Sequence, residues 1–133
     1  MALTDDLKES IGEPIELFKA SSCSKITGLN GEGNYVTDGP FMYRAKSGKL
    51  IMLWSSYSYG EYCVIISYSD NGEIDGNWIH EQEFLFENDG GHCMLFNTKE
   101  NELKITMHTP NKNPNERPVI YDIKEVDDSL KLV

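Results

Sequence analysis

The sequence predicts an all-β protein, because apolar, β-branched and aromatic runs recur along the chain with turn residues between them. From residue 41 the runs FMYRAK, LIMLWSSYS and YCVIISYS are separated by the turns SGK and YGE. The second and third runs are apolar almost continuously, so we expect each of these strands to be covered on both faces. The run NWIHEQEFLF alternates more and predicts an outer strand with one wet face. These four strands form a meander that cannot be a single sheet exposed to water.

A second series of strands starts at Gly90-Gly91 and repeats the first. It comprises HCMLFNTK, ELKITMHT, RPVIYDIKEV and DDSLKLV. Three residues of one series match three of the other at an offset of about 52, with one residue inserted at the first turn: Gly39, Met42 and Leu50 match Gly91, Met94 and Leu103. Such a period is typical of propeller blades. EPIELF at residues 13–18 also echoes EQEFLF at residues 81–86.

Four antiparallel strands per repeat, buried on both faces, describe the blades of a β-propeller. We therefore expect one partial propeller domain of roughly two to two and a half blades. Residues 1–37 supply outer strands of one blade and a connection, 38–86 a full blade, and 87–133 a further blade. The alternative is a plain meander in a β-sandwich, since a two-fold repeat is weak evidence for a repeat architecture.

Composition narrows the possible partners. The 133 residues carry 22 acidic and 12 basic side chains, a formal charge of −10, so nucleic acid and anionic membrane surfaces would repel the protein. No apolar run approaches the roughly 20 residues that span a bilayer. The N-terminus lacks the basic and apolar pattern of a signal peptide, which predicts a cytoplasmic chain as written, or a secreted or periplasmic one if an upstream segment is missing. Three cysteines cannot all pair, and we expect buried, unpaired thiols.

Two polar residues lie at the predicted starts of the innermost strands. Asp38 precedes Gly-Pro-Phe, and His92 follows Gly-Gly. Loops converge on the axis at this end of a blade, and propellers hold their ligands there. Alternatively, Asp38 caps its own turn through its side chain, and His92 is an ordinary partly buried histidine.

Several segments resemble glycoside hydrolase family 43, the family of arabinanases, arabinofuranosidases and β-xylosidases. They are YVTDGPFMYRAKSGKLIMLWSSYS, YSDNGEIDGNWIHEQEFLFENDGGHCMLF and MHTPNKNPNERPVIYDI, and the match runs from about residue 3 to residue 123. The resemblance implies the closing blades of a five-bladed β-propeller. It also implies hydrolysis with inversion by a general base Asp, a general acid Glu and a third carboxylate that tunes the acid.

The resemblance places Asp38 at the position of the general acid, although Asp is one methylene shorter than the family's Glu. It implies that the base and the tuning carboxylate belong to earlier blades, and neither role is assigned to Asp5, Asp6 or Asp70. His92 matches a histidine that faces an axial calcium ion through water, so this chain would contribute part of such a site.

Arg117 resembles an arginine that some members direct at sugar hydroxyls or at the acid, with a surface ion pair to Glu116 or Asp122 as the alternative. Trp54 and Tyr57 are possible sugar-stacking faces, but the apolar run around Trp54 favours a core position.

Three functions remain open from the sequence. The chain is part of a glycoside hydrolase completed by a missing N-terminal half or another chain, a non-catalytic half-propeller with weak carbohydrate binding, or a scaffold that binds a protein partner. Open blade faces predict a homo-oligomer in any of these cases.

Overall fold

The structure is a computed structural model that describes residues 1–30 and 33–133. Its regular elements are two short strands, one 3-10 turn at Ala20–Ser22, and two four-stranded antiparallel sheets. The strands are β1 (Ala2–Leu3), β2 (Ser10–Ile11), β3 (Asp38–Arg44), β4 (Leu50–Ser58), β5 (Glu61–Ser69), β6 (Trp78–Phe86), β7 (Gly91–Asn97), β8 (Leu103–Thr109), β9 (Arg117–Val126) and β10 (Ser129–Leu132).

Each four-stranded sheet is a simple meander, and we call the sheet β3–β6 the first blade and the sheet β7–β10 the second blade. Strand order in space equals order in the chain, from β3 to β6 and from β7 to β10. The first strands of the two blades, β3 and β7, contact each other, and β6 touches β10 at the far edge. The two blades therefore pack side by side as in a β-propeller, and the expected partial propeller is confirmed.

The largest core lies between the two blades. Leu53 and Val64 of the first blade pack against Leu95, Ile105 and Ile123 of the second, and all five side chains are buried. Successive residues of a strand point to opposite faces, so only alternate residues of β4 and β5 enter this core.

The other face of the first blade is covered by the N-terminal segment. Residues 17–26, which we call the strap, place Phe18, Ala20 and Cys23 over Trp54 and Ile65. Leu53 and Trp54 thus belong to different cores. The continuous apolar runs were correctly interpreted as strands covered on both faces.

The N-terminal region differs from the predicted outer strands of a blade. Residues 13–18 form no strand in the structure, and the described part of residues 1–37 has only the two-residue strands Ala2–Leu3 and Ser10–Ile11, paired with each other. The resemblance of EPIELF to EQEFLF was therefore misleading. Phe18 is drawn onto Trp54 by apolar packing, and the segment serves as a cover instead of a sheet edge.

The repeat holds, but its register is shifted by one residue from the sequence alignment. Asp38 pairs with Ser55 and Gly91 pairs with His108, and both inner strands continue through a bulge. Phe41 and Met94 are the next paired residues of each, so the structural offset is 53 along the inner strands. His92, not Gly91, is the equivalent of Gly39.

All three cysteines are buried and unpaired, as the odd count predicted. Burial raises the pKa of the Cys63 and Cys93 thiols to about 12, so they are unreactive small hydrophobes. No helix within residues 1–30 and 33–133 has the length and hydropathy that a bilayer crossing requires.

Candidate active site at the axis

A cavity of about 710 Å³ opens where the inner strands of the two blades begin. Its walls include Asp38 from β3, His92 and Met94 from β7, and Glu116 and Arg117 where β9 begins. The structure therefore brings the three site residues predicted from the sequence, Asp38, His92 and Arg117, to one cavity. Antiparallel meanders explain this, because the starts of β3 and β7 and the start of β9 lie at the same end of the blades.

The carboxylate of Asp38 is held by donors on both oxygens. The Tyr62 hydroxyl donates to Oδ2 at 2.7 Å, and the backbone N–H of Gly39 donates to Oδ1 at 2.8 Å. Nδ1 of His92 lies 3.3 Å from Oδ1. The side chain is half-exposed, and it lines the cavity with its orientation fixed from behind. Asp38 thus has both of the roles that the sequence offered as alternatives: its side chain caps its own turn by accepting from Gly39, and it lines the cavity.

These contacts favour the ionised form of Asp38. The hydrogen bond from Tyr62 is the main cause that lowers the pKa of this carboxyl below its usual value, and the charge of His92 acts in the same direction. Partial burial raises the pKa but does not outweigh the donors. A general acid must carry a proton at working pH, so Asp38 would need a change in its surroundings to act as one.

His92 has a strained backbone and an exposed ring. Its φ is +52°, in the left-handed region that non-glycine residues seldom occupy, and its N–H donates to Ser55 Oγ at 2.9 Å. This strain turns the imidazole into the cavity beside Asp38. Strained backbone is typical of functional positions.

The residues at this cavity do not by themselves fit a calcium ion. Calcium takes six to eight oxygen ligands, whereas His92 brings an imidazole next to the carboxylate of Asp38, and Glu116 is the one other acidic residue among the described residues that line the cavity. Among the residues that the structure describes, no group of three or more histidine, cysteine or acidic side chains could hold a metal. The partial contribution of His92 to a calcium site stays a prediction.

Arg117 is exposed at the cavity wall and makes no side-chain ion pair with any acidic residue in the described ranges 1–30 and 33–133. Its Nη1 donates to the backbone carbonyls of Pro114 at 3.0 Å and Glu116 at 2.7 Å, while Asp122 pairs with Lys104. The alternative of a surface ion pair for Arg117 is thus not what the structure has. Its guanidinium carries further N–H donors that these two carbonyls do not occupy.

Sequence patterns do not identify three residues behind Asp38, which are Tyr62, His108 and Asn111. The ring of Tyr62 packs against the rings of Tyr57 and His108, and Asn111 bonds to both of those neighbouring side chains. We considered Tyr57 a sugar-stacking face, but its ring packs on Tyr62. Tyr62 sits in an apolar strand, where no sequence pattern reports the direction of a hydroxyl.

The remaining candidates lie elsewhere. Trp54 is fully buried under the strap, as its apolar run predicted. The carboxylate of Asp70 bonds to Asn77, and that of Asp6 accepts from Thr4 and the N–H of Lys8. Neither carboxylate lines the cavity, nor does Asp5.

Comparison with solved structures gives several close likenesses. An endo-arabinase from Bacteroides thetaiotaomicron is 42% identical, with a TM-score of 0.87 over 94% of this chain and 45% of that one. A thermostable family-43 glycoside hydrolase is 22% identical, with a TM-score of 0.79 over 98% of this chain and 45% of that one. A bifunctional GH43-CE protein of Bacteroides eggerthii is 18% identical, with a TM-score of 0.73 over 98% of this chain and 16% of that one.

No protein-family model matches the chain. A search of curated proteins likewise returned no match. The chain spans less than half the length of the solved structures to which it is similar.

Two antiparallel four-stranded blades packed side by side define the class: the chain is part of a β-propeller. The family follows from the likeness to its solved members over nearly the whole chain. The chain belongs to glycoside hydrolase family 43, of whose catalytic domain it forms a part.

Proposed function

We propose that this chain is the part of an inverting glycoside hydrolase that carries the acid position, acting on O-glycosidic bonds of arabinose- or xylose-containing plant polysaccharides or oligosaccharides. The observation that carries the proposal is the place of Asp38, at the start of an inner strand and on the wall of a cavity of about 710 Å³. The identity of 42% to an endo-arabinase favours arabinan among the possible substrates.

In this proposal Asp38 protonates the leaving oxygen of the sugar. Inversion needs a second carboxylate about 6.5–9.5 Å away that activates a water on the opposite face of the ring. That base, and a third carboxylate near Asp38, would be supplied by a part of the propeller outside these two blades. A neighbouring negative charge would raise the pKa of Asp38 and oppose the effect of Tyr62.

Arg117 is proposed to bind sugar hydroxyls. It is exposed, and its rigid fork of donors lies on the wall of the cavity that Asp38 also lines.

The proposal is tested with linear arabinan, an aryl α-L-arabinofuranoside and an aryl β-D-xyloside. Because the base lies outside these two blades, we expect little or no turnover by the chain alone. Any hydrolysis that is abolished by Asp38→Asn and unaffected by Asp70→Asn would support a hydrolase. Asp70 is a suitable control because its carboxylate is engaged by Asn77, away from the cavity. If arabinan is cleaved equally by the Asp38→Asn variant, Asp38 is not the acid.

One observation favours a second candidate, a non-catalytic module that binds carbohydrate. The hydrogen bond from Tyr62 lowers the pKa of Asp38, so the isolated chain presents a carboxylate that accepts hydrogen bonds from sugar hydroxyls. Binding of arabino-oligosaccharides without hydrolysis, lost in the Asp38→Asn and Arg117→Ala variants, would support this module over the hydrolase.

A further inference from the structure

We propose that Tyr62 is the positioning residue of this site: its hydroxyl fixes the orientation of the Asp38 carboxyl in the cavity. The inference rests on the proposed function for the importance of Asp38, but its evidence is the local geometry. Tyr62 itself does not line the cavity, so it acts on a sugar only through Asp38.

The hydroxyl of Tyr62 reaches a residue two strands away. Tyr62 lies on β5 and pairs with Tyr57 of β4, whereas Asp38 lies on β3 and pairs with Ser55 of β4. The ring is 2% exposed, yet its hydroxyl donates at 2.7 Å to a side chain that is half-exposed in the cavity. A buried donor thus fixes the one oxygen of Asp38 that the backbone N–H of Gly39 leaves free.

The ring of Tyr62 packs against two other aromatic rings, an arrangement that we call the clamp. The centroid of Tyr57 is 5.0 Å away, and His108 stacks at 5.7 Å with an angle of 21° between the planes. Asn111 joins these two neighbours, since its Nδ2 donates to the Tyr57 hydroxyl at 2.9 Å and its Oδ1 lies 3.0 Å from Nε2 of His108. The backbone of Asn111 is in turn held by the Asp89 carbonyl at 2.8 Å.

The glycine at residue 91 leaves room for this arrangement. A Cβ at Gly91 would collide with the ring of Tyr62 and would lie 2.7 Å from Ser55 Oγ. The φ of Gly91 is not in the left-handed region, so space is the reason for glycine here, and backbone conformation is not. The position of the Tyr62 hydroxyl therefore depends on three parts of the chain: the loop after β8, the Gly-Gly turn and β5.

The arrangement does more than fill the core. A tyrosine ring would pack equally well with its hydroxyl bonded to any carbonyl, but this hydroxyl bonds to the candidate acid and favours its ionised form. A protonated Asp38 accepts this hydrogen bond more weakly than the ionised form does, so the bond opposes protonation.

Tyr62→Phe tests the inference by removing the hydroxyl and keeping the ring. The readout is the titration of the Asp38 carboxyl carbon followed by NMR on the whole chain. We expect the midpoint of Asp38 to rise toward the ordinary value of 3.8 in this variant. An unchanged midpoint in a folded Tyr62→Phe protein would overturn the inference.

Tyr43→Phe is the matched control. Tyr43 lies on β3 with Asp38, and its hydroxyl also donates to a carboxylate, that of Glu125. This variant should leave the midpoint of Asp38 unchanged. If both variants move the midpoint equally, the effect is a general loosening of the blade and the inference fails.

Asn111→Ala serves as a second variant should Tyr62→Phe not fold. It keeps the hydroxyl and removes the link between Tyr57 and His108. We expect a smaller rise of the Asp38 midpoint, and no rise would contradict the clamp. Because the titration does not depend on turnover, the two proposals can fail separately. A shifted midpoint together with arabinan cleavage that survives Asp38→Asn would reject the acid role and keep this inference, whereas cleavage abolished by Asp38→Asn with an unchanged midpoint would do the reverse.

Discussion

Gly39 and His92 occupy the same position in successive blades, each in the bulge of an inner strand, and they touch each other. Their φ angles are +51° and +52°, and a Cβ on Gly39 would lie 2.9 Å from the Cα of His92. The two strands approach closely at the axis because Gly39 has no side chain. The same relationship brings the imidazole of His92 beside Asp38.

Gly39→Ala is therefore expected to destabilise the protein. A non-glycine residue in the left-handed region costs about 1–3 kcal/mol, and the new methyl group must also displace the backbone of His92. We expect a lower free energy of unfolding in urea and a weakened contact between Asp38 and His92.

The control is Gly60→Ala. Gly60 has a φ of +86°, but nothing lies within 4 Å of its added Cβ, so this variant measures backbone strain alone. Gly39→Ala should lose more stability than Gly60→Ala. Equal losses would mean that the approach of His92 contributes nothing.

The misassigned register shows where sequence patterns reach their limit. Gly39 and Gly91 carry the same letter and invite alignment, but they are glycines for different reasons. Gly39 needs a left-handed φ beside His92, whereas Gly91 needs space for the ring of Tyr62. Residue identity alone cannot separate these two causes. The sequence alignment therefore matched Gly39 with Gly91 at an offset of about 52, whereas the structural offset is 53.

The burial of β4 and β5 could be predicted, because it needs only a continuous apolar run. The strand starts of the repeat identified Asp38 and His92, and the family resemblance identified Arg117; all three line the cavity. The sequence could not identify Tyr62 or the strap over Trp54. Those contacts depend on tertiary packing across several strands, which leaves no periodic signal.

Leu53→Ala is expected to destabilise the contact between the blades. Leu53 is fully buried in the core between them, and truncation of a buried leucine costs about 2–5 kcal/mol. Met42→Ala, on the exposed side of β3, should cost much less. Urea unfolding followed by circular dichroism measures both, and similar losses would contradict a shared core between the blades.

The strap should loosen in acid, because a chain of hydrogen bonds holds it through His80. Nε1 of Trp54 donates to Ser67 Oγ at 2.7 Å, and Ser67 Oγ lies 2.7 Å from Nδ1 of His80. Nε2 of His80 lies 2.9 Å from Ser22 Oγ, which donates to the Lys19 carbonyl. If the imidazole of His80 is neutral and carries its proton on Nε2, every donor and acceptor in this series of hydrogen bonds has a partner.

Burial lowers the pKa of His80 below its ordinary value of 6.5. With the strap detached, His80 would be more exposed and would bind the proton more tightly. The strap is therefore most stable above pH 6.5 and loses stability as the pH falls from there toward the lowered value. Hydrogen exchange of the amides of residues 20–26 at several pH values, corrected for intrinsic exchange, measures this loss.

His80→Gln should abolish that pH dependence between pH 7 and pH 5, whereas His92→Asn should keep it. His92 is the suitable control, because its exposed ring lies in the cavity and does not contact the strap. If His80→Gln retains the full pH dependence, the hydrogen-bond chain is not the cause.

Self-association stays a prediction, and the structure specifies the surface on which to test it. Met94 is 49% exposed and Ile120 is 64% exposed on the outward face of the second blade. The equivalent of Met94 in the first blade, Phe41, instead packs against the core between the blades. In the first blade the equivalent face is covered by the second blade, whereas the outward face of the second blade has no blade packed on it among the described residues 1–30 and 33–133.

We expect a second copy to cover this face at micromolar concentration, giving a dimer or a larger species in light scattering. Replacing the outward apolar residue, Ile120→Lys, should return the protein to a monomer, because a charged side chain opposes burial of the face. Ile74→Lys is the control, since Ile74 is 54% exposed in the connection between β5 and β6 and away from this face. A monomeric wild-type chain would refute self-association, and a dimer unaffected by Ile120→Lys would place the contact on another surface.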